Sequence, residues 1–179
     1  MLRRFYPYEY VDSVFDIDYE KLFSKGFRGI IFDIDMTLVP HGEDSTAEVD
    51  ALFKNIQRLG LKTLLLTNND RARVERFIKN IDTLYICDAN KPNPENYLKA
   101  VELLGVKKSE TIFVGDQIFV DILGANKSGI ASILVKYVTA YEEKNIGIRR
   151  NLEKIILKFY SLNNSCRHRL GNILKAEGD

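Results

Sequence analysis

The chain has 179 residues, 45% of them apolar and 28% charged, with a formal net charge of +1. That length fits one domain with a sizeable core, and the near-neutral balance argues against a nucleic-acid partner held by global charge. No apolar run approaches a membrane span, the start Met1 to Pro7 lacks the apolar stretch of a secretory signal, and the two cysteines, Cys87 and Cys166, have no metal-type spacing, so a reduced, cytoplasmic setting is expected.

Residues 1–28 read as a helical or irregular lead-in packed on the core. Asp18 is placed to cap a short helix ending at Gly26, and Tyr6, Tyr8 and Tyr10 alternate as in a strand. From Gly29 the chain alternates short apolar runs with amphipathic segments, the pattern of βα units and a parallel sheet. The first run, Gly29 to Asp35, is continuous and β-branched, as a strand buried on both faces should be. Ser45 with Glu48 suggests a capping box for a helix carrying Val49, Leu52, Ile56 and Leu59, which Gly60 would end. A second strand spans Leu61 to Thr67. Asn69 or Asp70 then caps a helix with Val74, Phe77, Ile78 and Ile81, and a third strand covers about Thr83 to Cys87. Asn93 as N-cap with Pro94 at the first helical position starts a helix that Gly105 ends. A fourth strand, Thr111 to Val114, a helix over about 118–127 and a fifth strand, Ile130 to Val135, complete a core over 29–140. Residues 141–179 are expected to be a basic, mainly helical extension with a frayed last dozen residues; 144–179 hold eight Lys or Arg against three Asp or Glu.

Ligands of open α/β sheets bind at the carboxyl ends of the strands. Polar groups gather at that edge four times: Asp33 and Asp35 after the first strand, Thr67 and Asn68 after the second, Lys91 after the third, and Asp116 after the fourth with Asp121 five residues on. Buried carboxylates need partners, and Asp33, Asp35 and Asp116 offer the hard oxygens that suit Mg²⁺. Paired carboxylates can divide the work of phosphoryl transfer, one attacking phosphorus and the other handling a proton, while Lys91, Thr67 and Asn68 supply charge and donors to phosphoryl oxygens. Each residue also has an ordinary alternative: a solvated strand end, a helix cap for Asn69 or Asp116, a surface lysine, a structural acid for Asp121, a loop position for His41.

These residues carry a resemblance. Asp33-Ile34-Asp35-Met36-Thr37 resembles the first motif of the haloacid dehalogenase (HAD) superfamily, DxDxT. Thr67 resembles the second, Lys91-Pro92 the third, and Gly115 to Asp121 the fourth, GDx4D, in the family's order. The resemblance implies a three-layer α/β/α sandwich with a five-stranded parallel sheet in the order 5-4-1-2-3. It implies an aspartyl-phosphate on Asp33, acid–base work by Asp35, and Mg²⁺ held by the Asp33 and Asp116 side chains and the Asp35 backbone carbonyl. Asp121 would ligate or orient water, and Thr67 and Lys91 would hold the phosphate.

The chain leaves no room for the cap domain that many such relatives insert, so the site should be open unless a second subunit covers it. The lead-in Tyr8 to Ile17, Thr67-Asn68-Asn69 and Gly115-Asp116-Gln117 are further similar to the YqeG-type phosphatases, which in turn resemble the mitochondrial phosphatidylglycerophosphate phosphatase of fungi. Met36 departs from that pattern, standing where such relatives usually have Asn. This likeness implies a phosphorylated substrate that includes a lipid head group among its candidates. The basic amphipathic stretch near 149–160 reads either as a helix lying on an anionic membrane, in peripheral contact, or, as is commoner for such stripes, as one packed against the protein's own core. A soluble sugar phosphate or nucleotide is the alternative substrate, and a receiver-like signalling domain, with Asp88 after the third strand, is the alternative class.

Overall fold

The computed structural model describes residues 2–138 and 148–176. Six parallel strands form one sheet: β1 (Glu9–Val11), β2 (Gly29–Phe32), β3 (Lys62–Leu66), β4 (Leu84–Ile86), β5 (Thr111–Gly115) and β6 (Ala131–Val135). Their order is β1-β6-β5-β2-β3-β4. The five expected strands keep their expected neighbours. The order differs by a sixth strand at the edge, where β1 pairs with β6 from Glu9 opposite Ile133 to Val11 opposite Val135. The tyrosine alternation signalled that strand, but three residues are too few for periodicity to separate from irregular chain.

The helices are α1 (Tyr19–Ser24), α2 (Ala47–Arg58), α3 (Arg71–Phe77), α4 (Pro94–Leu104), α5 (Leu123–Ser128) and α6 (Ile148–Ser161). Asp18 caps α1, Asp70 caps α3 through a 2.8 Å bond from Arg73 N, and Asn93 caps α4 with Pro94 behind it. The cap of α2 is Thr46, one residue beyond the expected Ser45. The Thr46 hydroxyl accepts from Val49 N, and Ser45 turns to Asp50 instead. Between Gln117 and α5 the chain makes a π-helical turn, Ile118–Ile122, in place of the plain helix expected over 118–127.

Both faces of the sheet are covered. One cluster joins Ile30, Phe32 and Val114 to Leu52, Phe53, Ile56 and Phe77 of α2 and α3. The other joins Ile31, Leu64 and Phe113 to Tyr97, Val101 and Leu104 of α4. No inserted domain stands between β2 and α2 or between β3 and β4; loop 36–46 and helix α3 are all that intervene.

The end of the chain corrects an expectation. Far from fraying, residues 166–176 pack back on the lead-in. Ile173 is buried in the main core, Ile17 bridges to Leu174, and Arg169 lies 3.6 Å from the Tyr8 ring centroid. Buried Glu9 accepts hydrogen bonds from Leu170 N (3.0 Å) and lies 3.0 Å from His168 Nδ1. The apolar residues that hold this tail are scattered, without a periodic signal. The expected boundary at 140–141 and the last three residues, 177–179, lie outside the described residues.

Candidate active site

Strand register brings the acids together. Phe32 of β2 pairs with Val114 of β5, so the chain leaves the two adjacent strands side by side, at Asp33 and at Gly115-Asp116. Asp33 N still donates to Val114 O at 3.0 Å. Thr67 follows β3 and its N–H donates to Ile86 O of β4. Lys91 comes from the loop after β4, which Asn68 fixes by accepting from Lys91 N at 2.7 Å.

Asp33, Asp116 and Asp121 are all buried, and one oxygen from each lies within 4.8 Å of the others. Lys91 Nζ donates to Asp33 Oδ1 at 2.5 Å and to Asp121 Oδ1 at 2.7 Å, with its side chain 3% exposed. Thr37 Oγ1 lies 3.2 Å from Asp116 Oδ1. Asp121 owes its place to two local features. The π-helical turn lets Gln117 N donate to its Oδ2 at 3.0 Å. Gly115 lets the carboxylate pass close: a Cβ there would sit 2.6 Å from the Asp121 carboxyl carbon.

Burial pushes the Asp33 carboxyl up to about 6 against the pull of the Lys91 charge. Burial and the neighbouring charges of Asp121 and Asp33 push Asp116 up to about 7, against Arg150. Burial also disfavours the Lys91 ammonium, but the charges of Asp121 and Asp33 outweigh it and hold Lys91 above its usual range. Counting Glu153, which pairs with Arg150, four carboxylates face two cations, an excess of two negative charges. Three buried carboxylates with two unmatched charges are a donor set that fits a hard divalent cation.

Asp35 lines the same cleft, but its carboxylate lies in a different set of bonds. It accepts from Gly42 N (3.0 Å), Asn69 Nδ2 (2.5 Å) and Arg73 (2.7 Å). Burial disfavours its charge, yet these N–H groups outweigh burial and hold its carboxyl below the usual range. The cleft holds about 140 Å³ between Asp33, Asp35, Thr67, Asn68 and Lys91, with His41, Asn69 and Gln117 at its margins. That is room for a phosphoryl group, with the rest of a substrate left in the open.

All seven predicted site residues converge on this edge of the sheet, and three groups escaped the sequence reading. Asn69, expected to be a cap, instead bonds Asp35 and Thr67, because Asp70 takes the cap. Arg73, in the first turn of α3, reaches Asp35, and its position directly after the Thr67-Asn68-Asn69 loop was the available signal. Arg150 of α6 donates to the Asp116 carbonyl at 2.7 Å and to the Asp116 carboxylate, and Glu153 accepts from Ile118 N at 2.8 Å. No local pattern marks that pair, since its reach depends on where α6 packs. Asp88 is exposed and stands apart from the acid cluster, which removes the feature that favoured a receiver-like domain.

The chain is similar to known proteins. A family model described as haloacid dehalogenase-like hydrolase matches residues 41–129. The "Probable phosphatase YqeG" of Bacillus subtilis is 33% identical over 88% of this chain and 92% of its own length. The chloroplastic and mitochondrial phosphatidylglycerophosphate phosphatase 1 of Arabidopsis thaliana is 29% identical over 85% of this chain and 47% of its own length. Among solved structures, the cobalt-bound deoxy-D-mannose-octulosonate 8-phosphate phosphatase of Haemophilus influenzae superposes with a TM-score of 0.50 at 16% identity, over 79% of this chain and 92% of that one, a likeness of fold.

Proposed function

The chain belongs to the haloacid dehalogenase-like hydrolases and is a phosphatase of that family, and from this premise we propose that it hydrolyses phosphomonoesters through an aspartyl-phosphate formed on Asp33. The observation that carries the reading is the contact of Asp33 with Lys91 at 2.5 Å, inside a cleft it shares with Thr67 and Asp35. Asp33 Oδ attacks phosphorus as the ester P–O bond breaks in line with it. Lys91 Nζ moves its donors from Asp33 to the phosphoryl oxygens, and Thr67, which already accepts from Asn69, keeps its O–H hydrogen to donate. Asn68 acts here mainly by holding the Lys91 backbone.

Asp35 passes a proton to the leaving oxygen and then takes one from the water that attacks the phospho-Asp33 bond, releasing inorganic phosphate. Its bonds from Gly42, Asn69 and Arg73 keep it ionised in the free protein. It therefore gains its proton when the negative phosphoryl group arrives beside it. The Asp33 and Asp116 side chains and the Asp35 backbone carbonyl, with Asp121 beside them, would hold a magnesium ion, which would supply positive charge to the phosphoryl oxygens. Residues 29–140 are the catalytic core in this reading, and 1–28 and 141–179 support it.

Phosphatidylglycerophosphate is the substrate we favour, met at a membrane surface from the cytoplasm. The shallow cleft leaves a bulky alcohol outside, and the likeness to the Arabidopsis phosphatase supports a lipid phosphate. Two measurements test this. Hydrolysis of an aryl phosphate with Mg²⁺ should be lost in Asp33→Asn; an equally active Asp33→Asn protein removes the mechanism. A soluble sugar phosphate or nucleotide turned over more than about tenfold faster than phosphatidylglycerophosphate in vesicles removes the lipid substrate, a discrimination of about 1.4 kcal/mol.

A further inference from the structure

Helix α6 is amphipathic twice over. One face packs inward: Ile156 and Tyr160 join Tyr6, Ile118 and Leu134 in a third core cluster, and Glu153 binds the π-helical turn. A second face, about 110° around the helix, is also apolar. Ile148, Leu152, Ile155, Phe159 and Leu162 recur every three or four residues and are 47–82% exposed. At 100° per residue they form one narrow stripe. Exposed Lys154 and Lys158 flank it on one side and exposed Arg149 on the other. The only acid of the helix, Glu153, is buried.

We propose that this outward stripe docks α6 flat onto an anionic lipid surface, with the apolar side chains entering the acyl boundary and the flanking cations meeting head groups. The charge pattern selects that occupant. In a second copy of α6 the basic flanks Arg149, Lys154 and Lys158 would find no exposed acid on the helix to pair with. A helix with bulky apolar residues on one face and basic flanks has the form of an interfacial segment. Among the described residues no helix is long and apolar enough to cross a membrane, so attachment would be peripheral. The same helix sends Arg150, on the side away from the stripe, to Asp116, so the docked helix is tied to the acid cluster through its other side. The inference deepens the lipid-phosphate reading and rests on it for its purpose, though not for its test.

The test is co-sedimentation of the full chain with phosphatidylcholine vesicles, with and without phosphatidylglycerol, alongside aryl-phosphate hydrolysis. The wild type should partition onto the phosphatidylglycerol vesicles, less so at high salt, and stay off phosphatidylcholine alone. The double variant Ile155→Ser, Phe159→Ser should lose at least about tenfold in partitioning while hydrolysing aryl phosphate as before, because both side chains are solvent-facing. The double variant Lys154→Glu, Lys158→Glu should lose the preference for phosphatidylglycerol. Wild type that stays off both vesicles, or variants that bind as well as wild type, overturns the proposal. So does a dimer that Ile155→Ser, Phe159→Ser dissolves, since the stripe would then belong to a second copy. Hydrolysis without vesicle binding removes the docking alone; vesicle binding without hydrolysis removes the catalytic reading and leaves the docking standing.

Discussion

Asp33 and Asp116 are held in a state that favours their protons, and this makes a signed prediction for the metal-free protein. A carboxyl near 3.9 when unfolded and raised to about 6 for Asp33, or about 7 for Asp116, contributes stability fully present below about pH 4 and lost as pH rises through the raised values. Thermal unfolding without divalent cations should therefore show the protein losing this contribution between about pH 4 and 8. Added Mg²⁺ should raise the melting temperature more at pH 8 than at pH 5, because it must displace protons at the lower pH. An equal metal shift at both would show that these acids do not hold the ion. Asp35 behaves oppositely. Arg73→Ala removes one of its donors, so the alkaline limb of kcat/KM, where Asp35 loses the proton that the leaving oxygen needs, should move to higher pH; an unmoved limb would take Asp35 out of the proton transfer. Met36 sits at φ 66°, a backbone region that Asn tolerates and Met does not favour. Met36→Asn should therefore stabilise the fold by about 0.5–1 kcal/mol in a denaturant titration.

At the scale of elements, apolar strands that end in polar groups were the legible part. The run Gly29 to Phe32 followed by Asp33, and Thr111 to Gly115 followed by Asp116, announced both the sheet and its reactive edge, because buried parallel strands admit few polar residues except where they end. Caps at Asp18, Asp70 and Asn93 were legible for the same reason: each satisfies local backbone donors within three residues. Long-range placement was not. Arg73 and Arg76 strap loop 42–44 to α3 through Glu43 O, Asp44 and Gly42 O, and nothing near them in sequence marks those partners. The same holds for the tail, where Ile173 looks like any isolated apolar residue yet is buried in the main core. Ile173→Ala should cost about 2–4 kcal/mol in a denaturant titration; a loss under about 0.5 kcal/mol would mean the tail is not part of the cooperative unit. In the turn after β5, Gly115→Ala must displace the Asp121 carboxylate. It should lower phosphatase activity by about tenfold or more with the circular dichroism spectrum unchanged, since it disturbs a partner of Lys91 without touching the core.

For the molecule as a whole, the sheet works as a device for bringing distant acids to one point. Asp33, Lys91, Asp116 and Asp121 come from three separate crossings of the chain, and the parallel register of β2 with β5 sets the spacing between them. The lead-in and tail enlarge the sheet by one strand and close its edge, and α6 links the acid cluster to an outward apolar face. The central claim is that oxygens of Asp33 and Asp116 share one divalent cation while Asp33 receives the phosphoryl group. A crystal structure of the protein soaked with Mg²⁺ and beryllium fluoride, a phosphoryl mimic, tests it most directly. The account predicts the fluoride adduct on Asp33 Oδ with the ion between Asp33 and Asp116. An adduct on Asp35 or any other residue, or an ion bound away from both carboxylates, would contradict it.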